Sequence, residues 1–208
     1  MSIKENNLIF DLDGTLIDSA PGILTCLSEI FNLNNIQLEN NLNYSIIGPP
    51  LKETLKYLIR KQDLNKIDYL ESEFIKLYDS KYSFKTQLYD GVMETLEMLY
   101  RKKKLILITN KRFAPTRIIL ENTNIIHFFE NYFCVDANDQ KKKDKTTLIA
   151  STIKDLNLKP VDSIYIGDTN GDLIASKKNN IKFAFAGWGY GNCDDFADLS
   201  FKNISELV

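Results

Sequence analysis

Short apolar runs of strand length recur along the chain, at residues 8–10, 105–108, 132–135, 164–166 and 183–186. They are continuous rather than alternating, the pattern of a strand whose sheet is covered on both faces. Amphipathic stretches of helix length lie between the later runs, at 116–121, 146–156 and 172–178. Strands alternating with helices predict an α/β fold built on a doubly wound parallel sheet.

One interval breaks this rhythm. A parallel crossover needs only a dozen or more residues, yet about ninety separate the first run from the second. Residues 92–100 read as the helix that leads into the second strand, so the sheet has no use for 17–85. That segment reads as helical throughout. Leu51, Leu55, Leu58 and Ile59 fall at i, i+4, i+7 and i+8, as do Leu70, Phe74, Leu77 and Tyr78. Leu24, Leu27 and Phe31 form a similar stripe behind Pro21, which suits a first helical turn. The expectation is a core domain of residues 1–16 and 86–208, with an all-α helical cap domain at 17–85 folding over one end of the sheet as a lid.

Composition narrows the function classes. The 208 residues are 44% hydrophobic and 26% charged, and 26 basic against 28 acidic side chains leave a net charge of -2. That balance argues against a dedicated nucleic-acid or anionic-membrane binder. No apolar run approaches the roughly 18 residues of a membrane span, and the short run at the N-terminus reads as too brief for the apolar region of a signal peptide. The expected location is the cytoplasm. Cys26, Cys134 and Cys193 are odd in number and widely spaced, which fits reduced, buried thiols rather than disulfides or a zinc site. His127 is the only histidine and sits in an apolar stretch, so a Ser-His-Asp triad has little to work with. Oligomeric state is not legible.

The chemistry gathers at the carboxyl ends of the predicted strands, where open α/β sheets bind ligands. The first strand runs into Asp11 and Asp13, the second into Thr109, Asn110 and Lys111, and the fourth into Asp168 and Asp172. Lysines precede a helix in the stretch from 140 to 151. Aspartates after a strand are also common turn and cap residues. The stretch 168–172 brushes against a calcium loop, but its glycine is in the fourth place and its twelfth place is Asn179. Taken together, several carboxylates without a histidine make an oxygen-rich cage suited to Mg²⁺. A hydroxyl and a lysine beside it would complement a phosphate. Two aspartates can then stand close together because a dication holds them.

At these residues the sequence resembles the haloacid dehalogenase superfamily of phosphatases, over essentially the whole chain. Asp11-Leu12-Asp13-Gly14-Thr15 matches D-x-D-G-T, Thr109 with Asn110 matches the strand ending in Thr or Ser, and Gly167 to Asp172 matches G-D-x-x-x-D. The stretches "LIDSAPGI", "IIGPPLKETL", "LYDGVMETLEML" and "AGWGYGN" resemble the phosphoglycolate-phosphatase-like branch, which carries a helical cap. The resemblance implies a Rossmann-like core with an inserted α-helical cap. The K-P-x-P motif of many relatives is replaced here by "KKDKTTL". Its spacing selects Lys142, while a proline-free variant with a lysine just before the helix selects Lys145, the favoured reading.

The resemblance further implies that Asp11 is the nucleophile and Asp13 the acid and base, with an aspartyl-phosphate between them. Thr109 and Asn110 would bind the phosphoryl group, and Lys145 would balance charge. Mg²⁺ would be held by the side chains of Asp11 and Asp168 and the backbone carbonyl of Asp13, with Asp172 supporting it. The expected substrate is a small-molecule phosphate ester, with phosphoglycolate as the default. The alternatives are a sugar-phosphate mutase on the same scaffold and a binding protein that has lost activity. A receiver-like protein would have no reason to carry the helical insertion. The loop Ile46 to Lys52 is expected to face the site, where Lys52 would either reach an anionic substrate or simply start a helix.

Overall fold

A computed structural model describes residues 3–136 and 144–208. Its strands are β1 (Asn7–Phe10), β2 (Ile17–Asp18), β3 (Gln87–Leu88), β4 (Lys104–Thr109), β5 (Asn131–Cys134), β6 (Ser163–Gly167), β7 (Lys182–Ala186) and β8 (Leu199–Phe201). Its α-helices are α1 (Ala20–Leu33), α2 (Leu51–Leu58), α3 (Ile67–Leu77), α4 (Val92–Tyr100), α5 (Phe113–Asn122), α6 (Lys145–Asp155) and α7 (Asn170–Lys178).

Six strands form one all-parallel sheet in the order β5-β4-β1-β6-β7-β8. Side chains along β1 alternate between its faces, as the pleat requires. Leu8 and Phe10 join one buried cluster with Val92 and Leu96 of α4, while Ile9 joins another with Ile149 of α6 and Leu173 of α7. Helices therefore cover both faces, which is why the strands read as continuous apolar runs. From β1 the chain order runs outward in both directions, through β4 to β5 and through β6 to β8. The strand order thus reverses at β1, and the carboxyl end of such a switch point is where ligands settle.

The helical segment has its own apolar centre, made by Leu27, Ile30 and Phe31 of α1, Leu55 and Leu58 of α2, and Leu70 and Phe74 of α3. Helix α3 continues into a π turn at Tyr78–Tyr82, and the Phe74 and Tyr78 rings stack with centroids 5.2 Å apart. The chain leaves the sheet and returns to it through a two-stranded antiparallel ribbon, with Ile17 opposite Leu88 and Asp18 opposite Gln87.

Differences from the sequence reading are local. Val135 lies beyond β5, and the helix ends shift by up to three residues. Helix α5 begins at Phe113, ahead of Pro115, because a proline is tolerated in the first turn. Strand β8, only Leu-Ser-Phe, and the ribbon β2–β3 were not expected, since two or three residues carry no readable period. All three cysteines are free and buried. His127 is exposed. No helix among the described residues is long and apolar enough to cross a membrane.

Candidate active site

The ladder continues one residue past β1, where the Asp11 amide donates to the Ile166 carbonyl at 2.9 Å. This fixes the first aspartate at the mouth of the central strand. Leu12 turns inward and is fully buried. Burial of such a side chain contributes about 1.5–3 kcal/mol, which anchors the turn between the two acids. Gly14 follows with φ +80°, and a Cβ there would stand 2.3 Å from Oδ2 of Asp168. Both the left-handed backbone and the close approach require glycine.

The second pair arises from a strand end and a helix cap. Asp168 follows β6, and Asp172 is the third residue of α7. Thr169 caps that helix in a reciprocal box: its amide and its hydroxyl donate to Oδ2 of Asp172 at 3.0 and 2.6 Å. A Cβ on Gly167 would come within 2.8 Å of the Asp172 side chain. Asp168 Oδ2 accepts the Tyr190 amide at 2.7 Å. Burial, and then the neighbouring Asp172, push the Asp168 carboxyl up to about 7.

Carboxylate oxygens of Asp11, Asp168 and Asp172 lie within 4.8 Å of one another, all three residues buried. The Lys145 ammonium, also buried, is 3.0 Å from Oδ2 of Asp11 and bonds Oδ1 of Asp172. Burial would lower the lysine, but Asp11 and then Asp172 outweigh it and hold it protonated. Asp11 is raised well above the usual carboxylate range, first by burial and then by Asp172 and Asp168, against the pull of Lys145. Three carboxylates stand against one ammonium, so ionising all three leaves an excess of two negative charges that burial resists. Oδ1 of Asp11 is buried without a hydrogen-bond partner, a costly arrangement for an anionic oxygen. An orphaned oxygen, a double negative excess and an all-oxygen donor set fit Mg²⁺.

Asp13 stands apart from this cluster. Its Oδ1 accepts from Lys111 Nζ at 2.8 Å and from the Ser19 hydroxyl. Among the described residues its carboxylate is not grouped with the other three. The two aspartates of the motif pair with separate lysines, Lys145 for the first and Lys111 for the second. Thr109 ends β4 fully buried, and its Oγ1 accepts the Lys111 amide at 3.1 Å.

A cavity of about 410 Å³ opens between the helical segment and the strand ends. Asp13, Asn110, Lys111 and Lys145 line its floor, and the loop from Ile46 to Leu51 lines its side. Lys52 does not line it. That side chain turns to Asp68 at 2.8 Å and Glu71 at 3.4 Å, both in α3. Lys145 is the first residue of α6 because Asp144 caps the helix, accepting the Thr147 amide at 2.8 Å. Lys142 lies outside the described residues.

Two contributors were missed in the sequence. Lys111 was seen beside Thr109, but its pairing with Asp13 spans 98 positions. Tyr190 stands out in the sequence only as part of the stretch "AGWGYGN". Its amide holds Asp168, and its hydroxyl accepts the Ser19 and Ala20 amides at 2.8 and 3.1 Å and donates to Asp18 at 2.8 Å. The glycines around it are the available signal: a Cβ at Gly189 would lie 2.3 Å from Cβ of Asp168, and one at Gly191 2.1 Å from its carbonyl.

The haloacid dehalogenase-like hydrolase family matches residues 8–186 of the chain. A phosphoglycolate phosphatase of Aquifex aeolicus is 31% identical over 206 residues, covering 97% of this chain and 94% of that protein. The tyrosine-protein kinase PtkA of Mycobacterium tuberculosis is 29% identical, covering 95% of this chain and 67% of that protein. A crystal structure of a predicted phosphatase from Clostridium acetobutylicum superimposes with a TM-score of 0.86 at 29% identity, covering 98% of this chain and 96% of that one. The carboxylate cluster at the switch point thus stands on a scaffold shared along nearly its whole length, and the chain belongs to the haloacid dehalogenase-like hydrolase family.

Proposed function

We propose that the protein is a magnesium-dependent phosphatase acting on a small-molecule phosphomonoester through an aspartyl-phosphate on Asp11. The observation that carries this reading is the Asp11 carboxylate, with one oxygen on Lys145 and the other buried and unpartnered. An oxygen of Asp11 attacks phosphorus as the bond to the leaving oxygen breaks, and Asp13 gives that oxygen its proton. Asp13, now a carboxylate, then takes a proton from water; the water oxygen bonds to phosphorus, the bond to Asp11 breaks, and phosphate leaves. Lys145 offsets charge between Asp11 and the incoming dianion. The Thr109 hydroxyl accepts from Lys111, which leaves its own proton for a phosphoryl oxygen, with Asn110 beside it. Bound Mg²⁺, held by Asp11, Asp168, the Asp13 carbonyl and, in support, Asp172, would offset the repulsion between carboxylate and phosphate. The helical cap shields the reaction from water.

Release of p-nitrophenol from p-nitrophenyl phosphate tests the reading. Turnover should require Mg²⁺, vanish in EDTA, and fall in Asp11→Asn to below about a thousandth of the starting protein. Metal-independent release, or a more active variant, would overturn it. Phosphoglycolate, from the name of the Aquifex relative, is the first natural ester to try.

A further inference from the structure

The cavity's wall on the cap side is mostly apolar, with Thr54 and Glu71 as the exceptions. Ile23, Leu27, Ile47, Phe74, Ile75 and Tyr78 form it, and no lysine or arginine of residues 17–85 lines it. The carboxylate that this segment contributes is Glu71. Lys52, the cation nearest in sequence to the lining loop, is drawn to Asp68 and Glu71 of α3. The described cations on the core side are each engaged: Lys111 with Asp13, Lys145 with Asp11 and Asp172, and Arg112 with Asp79 at 3.0 Å. Among the described residues, a leaving group with a carboxylate of its own would meet apolar side chains and cations already paired. That desolvation goes uncompensated. A volume of about 410 Å³ also falls within the range of roughly 300–1,000 Å³ that holds an organic ligand of some size.

We infer that the leaving alcohol of the substrate bears an uncharged, largely apolar group, aromatic or branched, that packs against Phe74, Tyr78 and the isoleucines of the cap. This rests on the phosphatase reading and narrows its substrate class away from the carboxylate-bearing phosphoglycolate.

Benzyl phosphate and phosphoglycolate make a fair pair, because their leaving alcohols are of similar acidity and the chemical step favours neither. With Mg²⁺ present, kcat/KM for benzyl phosphate should exceed that for phosphoglycolate at least about tenfold, the scale of burying a ring in an apolar pocket. Ile75→Arg, which sets a cation on the half-buried cap wall, should shrink that ratio at least about threefold. Both results are ratios within one preparation, so a poorly folded fraction alters neither. An equal or higher value for phosphoglycolate, or a ratio unmoved by Ile75→Arg, would overturn the inference while p-nitrophenyl phosphate turnover upholds the phosphatase reading. No release from any of the three esters would overturn both.

Discussion

The ammonium of Lys111 lies 2.8 Å from Oδ1 of Asp13, with its side chain only 7% exposed. The Ser19 hydroxyl donates to that same oxygen, and the Tyr78 ring lies 5.0 Å from the ammonium. Burial opposes the lysine's charge, but Asp13 more than compensates, so the lysine keeps its proton. Lys111 therefore holds the second aspartate in one rotamer, clear of the cluster around the first.

Lys111→Met tests that positioning. Turnover should fall about tenfold to a thousandfold, the range for losing one preorganised polar contact in a closed site. The loss should be larger for alkyl esters than for p-nitrophenyl phosphate, since only poor leaving groups need the Asp13 proton. Equal losses would assign Lys111 to the charge of the phosphate instead.

Asp168 gives a prediction for pH and metal together. Its folded value of about 7 lies above the ordinary 3.8. Between those values the folded metal-free protein keeps a proton that the unfolded chain has lost. Its stability should therefore fall as pH rises through that window, by up to about 1.4 kcal/mol per pH unit. A dication replaces the proton, so the gain in Tm on adding Mg²⁺ should be larger near neutral pH than near pH ~5. Thermal melts in EDTA and in Mg²⁺ across that range would show it. A gain independent of pH would contradict the assignment of Asp168 to the metal.

Tyr190→Phe separates the two ends of one residue. The hydroxyl's three bonds at the start of α1 would be lost, costing about 1–3 kcal/mol for the polar groups left behind. The backbone amide on Asp168 would remain. Chemical denaturation should report the loss of stability, while Mg²⁺ affinity by calorimetry stays within about twofold. A tenfold weaker affinity would mean that the hydroxyl, too, shapes the metal site.

Much of this was legible in the chain because it is local. Continuous apolar runs announced a sheet covered on both faces, and the interval between the first two exposed the helical insertion. Asp11, Asp168 and Asp172 sit at strand ends and a helix cap, positions set by a few neighbouring residues. Asp144 caps α6 by accepting the Thr147 amide, which makes Lys145 the first residue of a helix it was expected to precede. Pairings across the fold were not readable. Lys111 reaches Asp13 over 98 positions and Tyr190 reaches Asp18 over 172, and no spacing rule connects such residues. Lys52 shows the opposite failure. It stood next to the right loop, but α3 offered it two carboxylates.

Phosphorylation of Asp11 is the most direct test of the account. Asp13→Asn mixed with p-nitrophenyl phosphate and Mg²⁺ should form the aspartyl-phosphate, since that leaving group needs no proton, and hydrolyse it slowly for want of a base. Acid quenching followed by peptide mass spectrometry should place the phosphoryl group on Asp11. Release of p-nitrophenol with Asp11 unmodified, or with the phosphoryl group on another residue, would contradict it.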